Sequence, residues 1–399
     1  MSPAQTLLAA REQLGGWLTL LAELVETNTH ADNDDGIARC HALLQPRIEG
    51  LGLIVERVSS EGVSPRDPAR AITRRHLLAH TPEKAGRPTV LFMGHLDTVF
   101  PVDDPFQRLE RLGDEWRGPG VSDMKGGIVT ALLTLRLLRD AGRLDDVNWR
   151  LILASDEEQG SPTALPVLER AARGVDVALC FEAARPCGGI VKARKGYGSA
   201  RIRVRGKTGH AGIAHDTAVN AFSALAAVVV KVEALEARYP GLSVSPGGAV
   251  DVRPAQVTSI PDRADCEVEW RFVKPADGDS VTSDLREIAR SVATATRAEV
   301  QIDGGVECAP MAPTEASERL VAHYVQAARD LGMDIEGVST GGVGDINFVA
   351  KLGAVCLDGV GPEGGGFHTG KEFVLTDSIA RRASMNVSAL ARCLDELTG

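Results

Sequence analysis

The run Val90-Leu-Phe-Met-Gly-His-Leu-Asp-Thr-Val99 ends an apolar stretch with an imidazole and a carboxylate two residues apart, His95 and Asp97. In an extended segment residues i and i+2 share a face, so the pair lies on one side and Leu96 turns away. An imidazole beside a carboxylate at a strand end suggests a metal ligand or a catalytic base, although a lone His-x-Asp is more often a structural hydrogen bond. Groups of the same chemistry recur downstream. Asp123 stands in Arg117-Gly-Pro-Gly-Val-Ser-Asp-Met-Lys-Gly-Gly127, where glycines permit a tight loop before a helix. Glu157 and Glu158 are neighbours in Ser155-Asp-Glu-Glu-Gln-Gly160; adjacent side chains point apart in an extended segment, so one can bind a metal while the other faces substrate. Glu182 ends the run 175–181, and His368 follows the glycine-rich loop 359–366. That loop lacks the Gly-Lys-[Ser/Thr] ending of a phosphate cradle. Two histidines and three carboxylates suit a pair of zinc ions with mixed nitrogen and oxygen ligands. One carboxylate must bridge if the ions lie about 3.5–4 Å apart.

These residues need a scaffold that brings strand ends together. Helical spacing of leucines predicts an opening helix over 4–27, and a break at 32–37 precedes a second helix to about 49. Strands are expected near 52–58, 74–80, 90–93, 149–154 and 175–181, with a buried helix over 128–141. Alternation of this kind predicts an α/β sheet covered by helices on both faces, with its site beyond the strand ends. The pattern changes after about Gly196. Ser199-Ala-Arg-Ile-Arg-Val-Arg205 alternates strictly, as a half-exposed antiparallel strand does. A helix over 217–237, strands over 242–252 and 264–273, a helix over 278–295 and a strand over 298–306 follow. The order β-α-β-β-α-β predicts a ferredoxin-like α+β insertion. Helix and strand signals resume at Glu315. The expected layout is a discontinuous main domain, 1–197 and 309–399, interrupted by a smaller one, 198–308.

Composition excludes several classes. The formal net charge is −10, with no basic stripe interleaved with aromatics, which argues against nucleic-acid binding. No apolar stretch approaches the ~20 residues of a membrane helix, and residues 1–15 show no secretory pattern. Seven cysteines are scattered without a Cys-x-x-Cys pair, which argues for a reducing compartment and against a cysteine zinc site. A cytoplasmic protein is expected.

Taken together, Gly94-His-Leu-Asp-Thr-Val99, Gly118-Pro-Gly-Val-Ser-Asp-Met-Lys-Gly-Gly127, Asp156-Glu-Glu-Gln-Gly-Ser161, Phe181-Glu182, Gly209-His-Ala-Gly212 and Gly366-Phe-His368 resemble the co-catalytic zinc aminoacylase and carboxypeptidase family. Its members include glutamate carboxypeptidase, to which the likeness is closest, acetylornithine deacetylase and succinyl-diaminopimelate desuccinylase. The resemblance spans nearly the whole chain. It implies a zinc-peptidase-like catalytic domain with an inserted lid and dimerisation domain, and two zinc ions per subunit with cobalt or manganese as substitutes. His95 and Glu182 would hold one ion, Glu158 and His368 the other, and Asp123 would bridge. Asp97 would orient His95, and Glu157 would be the general base. His210, read from its surroundings alone as a loop histidine capping the next helix, would instead reach the active site of a dimer partner and steady the oxyanion.

For substrate, the resemblance assigns Arg271, in Glu269-Trp-Arg-Phe272, to the substrate carboxylate, and Gly341 and Gly342, in Gly341-Gly-Val-Gly344, to its tail. Two departures stand out. Glu307-Cys308 occupies the place of a second arginine that in glutamate carboxypeptidase recognises the glutamate side chain, and Ser259 replaces an asparagine before Ile260-Pro261. A carboxylate or thiol cannot bind an anionic side chain as arginine does. The expected activity is hydrolysis of the amide of an N-acyl amino acid or small peptide with a free carboxylate and a neutral or cationic residue. The alternatives are a biosynthetic deacetylase or desuccinylase, and a non-catalytic peptide-binding homologue, which the intact Glu157 and ligand set disfavour.

Overall fold

In this computed structural model, which describes residues 2–64 and 67–398, the apolar run forms the strand Thr89–His95, buried along its whole length. It lies between Asn148–Ala154 and Val177–Cys180, parallel to both, and Val355–Leu357 continues the parallel set beyond Val177–Cys180. On the other side the long antiparallel hairpin of Ile54–Ser64 and Asp67–His80 joins through Asn148–Ala154, giving a mixed six-stranded sheet. The parallel strands are near-continuous in Val, Leu, Ile and Phe because both their faces are covered. The outer strand Ile54–Ser64 instead has one residue in two more open to solvent. All four parallel strands end on the same side, so the segments that follow them are delivered to one edge of the sheet.

Helix Gly126–Asp140 packs against Pro3–Val25 and Thr376–Thr398. Its first turn approaches a strand end so closely that a Cβ on Gly127 would lie 1.9 Å from the Phe181 carbonyl oxygen. Pro3–Val25 starts with a capping box between Ser2 and Gln5. From Thr376–Thr398 comes a fully buried arginine, Arg382. Its guanidinium donates to the carbonyls of Gly361 (2.9 Å), Gly188 (2.7 Å) and Gly359 (2.5 Å), and so pins the loop that leads to His368.

The chain divides into two compact units. One comprises Met1–Ala193, Pro313–Thr340 and Gly344–Gly399; the other comprises Arg194–Ala312 and Gly341–Val343. The second unit holds an antiparallel sheet in the order Ser243–Arg253, Arg263–Phe272, Gly196–Arg205, Glu299–Cys308. Helices Ala221–Glu233 and Pro275–Thr296 pack against it, completing a ferredoxin-like β-α-β-β-α-β order. The strict alternation in Gly196–Arg205 sends Ala200, Ile202 and Val204 into a core with Val228, Val268 and Trp270, while the arginines between them face outward. The two ends of its main segment are joined directly: the Arg194 amide donates to the Met311 carbonyl at 3.0 Å. Arg194 and Arg271 also donate to the carbonyls of Gly342 and Gly341, each at 3.0 Å. Among the described residues no helix is long and apolar enough to cross a membrane.

Candidate active site

At the sheet edge of the first unit, His95 closes its strand and Asp97 follows in the next turn. The strand stops at His95, yet the two remain in contact: the imidazole Nδ1 lies 3.0 Å from the Asp97 carbonyl and 3.4 Å from its carboxylate. The same carboxylate accepts the backbone amides of Glu157 (3.1 Å) and Glu158 (2.9 Å). Those two residues sit in a short 3-10 turn, Glu157–Gln159, rather than the extended segment expected from sequence. They still diverge. Glu157 reaches within 4.0 Å of His95 Nε2, whereas Glu158 lies 3.2 Å from His368 Nε2.

Asp123 stands between the two imidazoles. Its Oδ1 is 3.2 Å from His95 Nε2, and its Oδ2 is 3.3 Å from His368 Nε2. Glu182 completes the first side at 3.4 Å from His95 Nε2. His95, Asp123 and Glu158 offer ligand atoms that all lie within 4.8 Å of one another. The structure thus gathers His95, Asp97, Asp123, Glu157, Glu158, Glu182 and His368 from segments more than 270 residues apart.

The electrostatics follow from crowding carboxylates in a buried place. Burial, reinforced by Asp345, Glu182 and Glu158, holds the Glu157 carboxyl well above its ordinary range. Burial and the Asp123 charge push Glu182 up to about 7. Asp123 is held low instead: burial works against ionisation, but hydrogen bonds from His368 and His95 outweigh it. His368, bonded to Asp123 and Glu158, is raised to about 10. His95 is also raised, because its bonds to Asp123, Asp97 and Glu182 overcome the penalty of burial. Such a cluster stabilises positive charge at the points where its oxygens converge.

Two residues without an expected role border the site. Asp345, whose carboxyl burial lifts to about 7, accepts a short hydrogen bond from the Ser161 hydroxyl at the end of the Glu157–Glu158 loop. Glu372 accepts backbone amides from the loop that carries Asp123. Neither lies in a spacing pattern, although Glu372 comes four residues after His368.

The remaining expected residues belong to the second unit. His210 is exposed, pairs with Ser259 in a two-residue antiparallel ladder, and accepts the Gly212 amide at 3.2 Å. Arg271 is engaged: it bonds Glu269 at 3.2 Å, the Gly341 carbonyl at 3.0 Å, and lies over the Tyr197 ring at 5.3 Å. Glu307 accepts a bond from the Ser199 hydroxyl and lines a groove of about 570 Å³ on the open sheet face, with Tyr197, Glu267, Glu269 and Asp303.

Residues 91–392 match the family model described as peptidase family M20/M25/M40. Carboxypeptidase G2 of Pseudomonas sp. (strain RS-16) is 27% identical, with 94% of this chain and 89% of that protein aligned. A succinyl-diaminopimelate desuccinylase of Azoarcus sp. (strain BH72) is 26% identical over 91% of this chain and 93% of its own. Among solved structures, a dinuclear metal-binding peptidase of the M20 family from Bacillus subtilis superposes with a TM-score of 0.71 at 14% identity, covering 96% of this chain and 99% of that one. At that identity the likeness shows a shared fold.

Proposed function

Because the chain belongs to peptidase family M20/M25/M40, we propose that it is a two-zinc hydrolase of N-acyl amino acids or small peptides bearing a free carboxylate. Membership makes it an amide-bond hydrolase related to carboxypeptidase G2 and the desuccinylases. The observation that carries the finer reading is the two-sided presentation of Asp123. Its oxygens face different imidazoles, and each imidazole has its own second carboxylate, Glu182 beside His95 and Glu158 beside His368. The donors therefore sort into two nitrogen-and-oxygen sets sharing one bridging group, which fits a pair of zinc ions. Cobalt or manganese would be accepted by the same donors.

In this reading His95 and Glu182 would hold one ion and Glu158 and His368 the other, with Asp123 shared between them. When bound, the ions supply Lewis acidity that acidifies a water and polarises the amide carbonyl. Asp97 fixes the orientation of His95 and, through two backbone amides, the placement of Glu157 and Glu158. Glu157, close to His95 and outside both ligand pairs, takes a proton from the attacking water and delivers it to the departing nitrogen. His210 contributes a hydrogen-bond donor to the oxyanion from a second copy of the chain, which makes the inserted unit the dimerisation element. Arg271 exchanges its hold on the Gly341 carbonyl for the substrate carboxylate, with Gly341 and Gly342 bordering the tail. Glu307, standing where the resemblance places a second arginine, favours a neutral or cationic residue over glutamate.

The test is a substrate screen on zinc-loaded protein with acetylated, succinylated and peptidyl amino acids, repeated on Glu157→Ala. Hydrolysis that falls about 10²–10⁴-fold in the variant, with two ions still bound per chain, is the expected result. Undiminished turnover would remove Glu157 from its role, and one ion or none in the wild type would remove the binuclear centre.

A further inference from the structure

We infer that Glu372 is a positioning residue for the bridging carboxylate, holding the Asp123 loop so that one side chain can serve two cations at once. The inference rests on the two-ion reading above and extends it to a residue outside the ligand set.

Asp123 lies where helical hydrogen bonding is broken: its backbone is extended (φ −114°, ψ 91°), one residue after Ser122 and three before helix Gly126–Asp140. Its amide therefore has no helical acceptor, and neither do those of Gly120 and Ser122. Glu372 supplies all three. Its Oε1 accepts from Ser122 and Asp123, both at 2.9 Å, and its Oε2 accepts from Gly120 at 3.0 Å. The Glu372 backbone carbonyl accepts a fourth amide, that of Gly118, at 3.2 Å. The residue is 1% exposed, so these bonds form away from competing water. Gly120 itself adopts φ +69°, a left-handed conformation that wraps the loop around the carboxylate.

The consequence falls on the Asp123 side chain. With the amide of its own residue fixed, its two oxygens keep a set orientation, 3.2 Å from one imidazole and 3.3 Å from the other. Glu372 is also four residues from His368, so the segment that carries one ligand braces the loop that carries the bridge. Asp97 does the same for the Glu157–Glu158 loop. These two ligand loops are thus held through their amides by buried carboxylates from distant segments, and outer partners of this kind typically tune metal affinity by about 10–100-fold.

Glu372→Gln tests this. The amide keeps the size of the side chain but replaces one acceptor oxygen with a donor, which must face a loop amide. Zn²⁺ binding is measured by competition against a chromogenic chelator, alongside thermal unfolding of the metal-stripped protein. The expected result is a folded variant in which both Zn²⁺ equivalents bind about 10–100-fold more weakly, because the displaced ligand is shared. Glu182→Gln serves as the comparison and weakens one equivalent more than the other. A folded Glu372→Gln that binds both equivalents as tightly as wild type overturns the inference, even if its unfolding temperature falls. If Glu372→Gln does not fold, Glu372→Asp, which retains two acceptor oxygens one methylene farther from the loop, carries the same measurement and the same criterion. A wild-type protein that binds a single equivalent overturns the binuclear reading itself, and is told apart because it appears before any substitution.

Discussion

Replacing Arg382 by methionine removes a buried cation whose partners cannot be removed with it. The guanidinium donates to three backbone carbonyls, those of Gly188, Gly359 and Gly361, in a region without solvent access. Burial lowers its pKa to about 10, against the opposing charges of Glu363 and Tyr324. Two contributions oppose each other. Losing three charge-assisted hydrogen bonds costs roughly 1.5–3 kcal/mol each. Relief from burying a cation returns several kcal/mol. Because the carbonyls stay behind without donors, the first contribution wins, and the expected net loss is about 3–5 kcal/mol. Arg382→Lys should recover less than half of it, since one ammonium cannot span three acceptors held in a fork. Urea denaturation followed by hydrogen exchange in helix Thr376–Thr398 reads the effect in the unit concerned. The expected companion result is weaker Zn²⁺ binding, since the Gly361 amide bonds the Glu182 carbonyl at 2.9 Å. A methionine variant within 1 kcal/mol of wild type would refute the reasoning.

Two buried histidines set an acid limit. Burial, with the charge of Arg57 adding for His41, lowers His41 and His76 from 6.5 to about 4. Between those values the unfolded chain binds more protons than the folded one, so stability falls as pH drops from 6.5 towards 4, by up to about 3 kcal/mol per histidine. His41→Met, which removes a ring nitrogen without a hydrogen-bond partner among the described residues, should flatten its share of that slope in urea midpoints measured across the range. Gly127→Ala should cost about 2–3 kcal/mol and loosen Zn²⁺ binding, because its methyl would meet the Phe181 carbonyl beside Glu182. Gly16→Ala, with nothing within 4 Å, should instead stabilise by up to ~1 kcal/mol; thermal unfolding of the two variants shifting in the same direction would contradict this account.

Much of the scaffold was legible because its signals are local. The apolar run at 90–93 lies within Thr89–His95, and the alternating segment at 199–205 lies within Gly196–Arg205. The expected helix at 217–237 is Ala221–Glu233 followed by a 3-10 turn, so its amphipathic pattern located the element but not its ends. The hairpin of Ile54–Ser64 and Asp67–His80 is longer than the strands expected at 52–58 and 74–80, because cross-strand pairing extends partly polar, solvent-facing residues that carry little periodic signal. The residues brought together at the sheet edge were recognisable from their chemical types in glycine-bearing loops. Glu372, Asp345 and Arg382 were not. Each acts on backbone groups or hydroxyls from another part of the chain, and no spacing rule encodes which carbonyl or amide an isolated buried side chain will meet.

The hydrogen bond from the Arg194 amide to the Met311 carbonyl means that the segment 194–312 begins and ends at neighbouring points. Nearly 120 residues hang from that point, yet their presence adds almost no loop-closure burden to the remainder, since both ends are already neighbours. A short turn joining Ala193 to Pro313 would satisfy the same geometry. The segment is therefore separable in architectural terms: His95, Asp123, Glu158, Glu182 and His368 all lie outside it, whereas His210 and Arg271 lie within it.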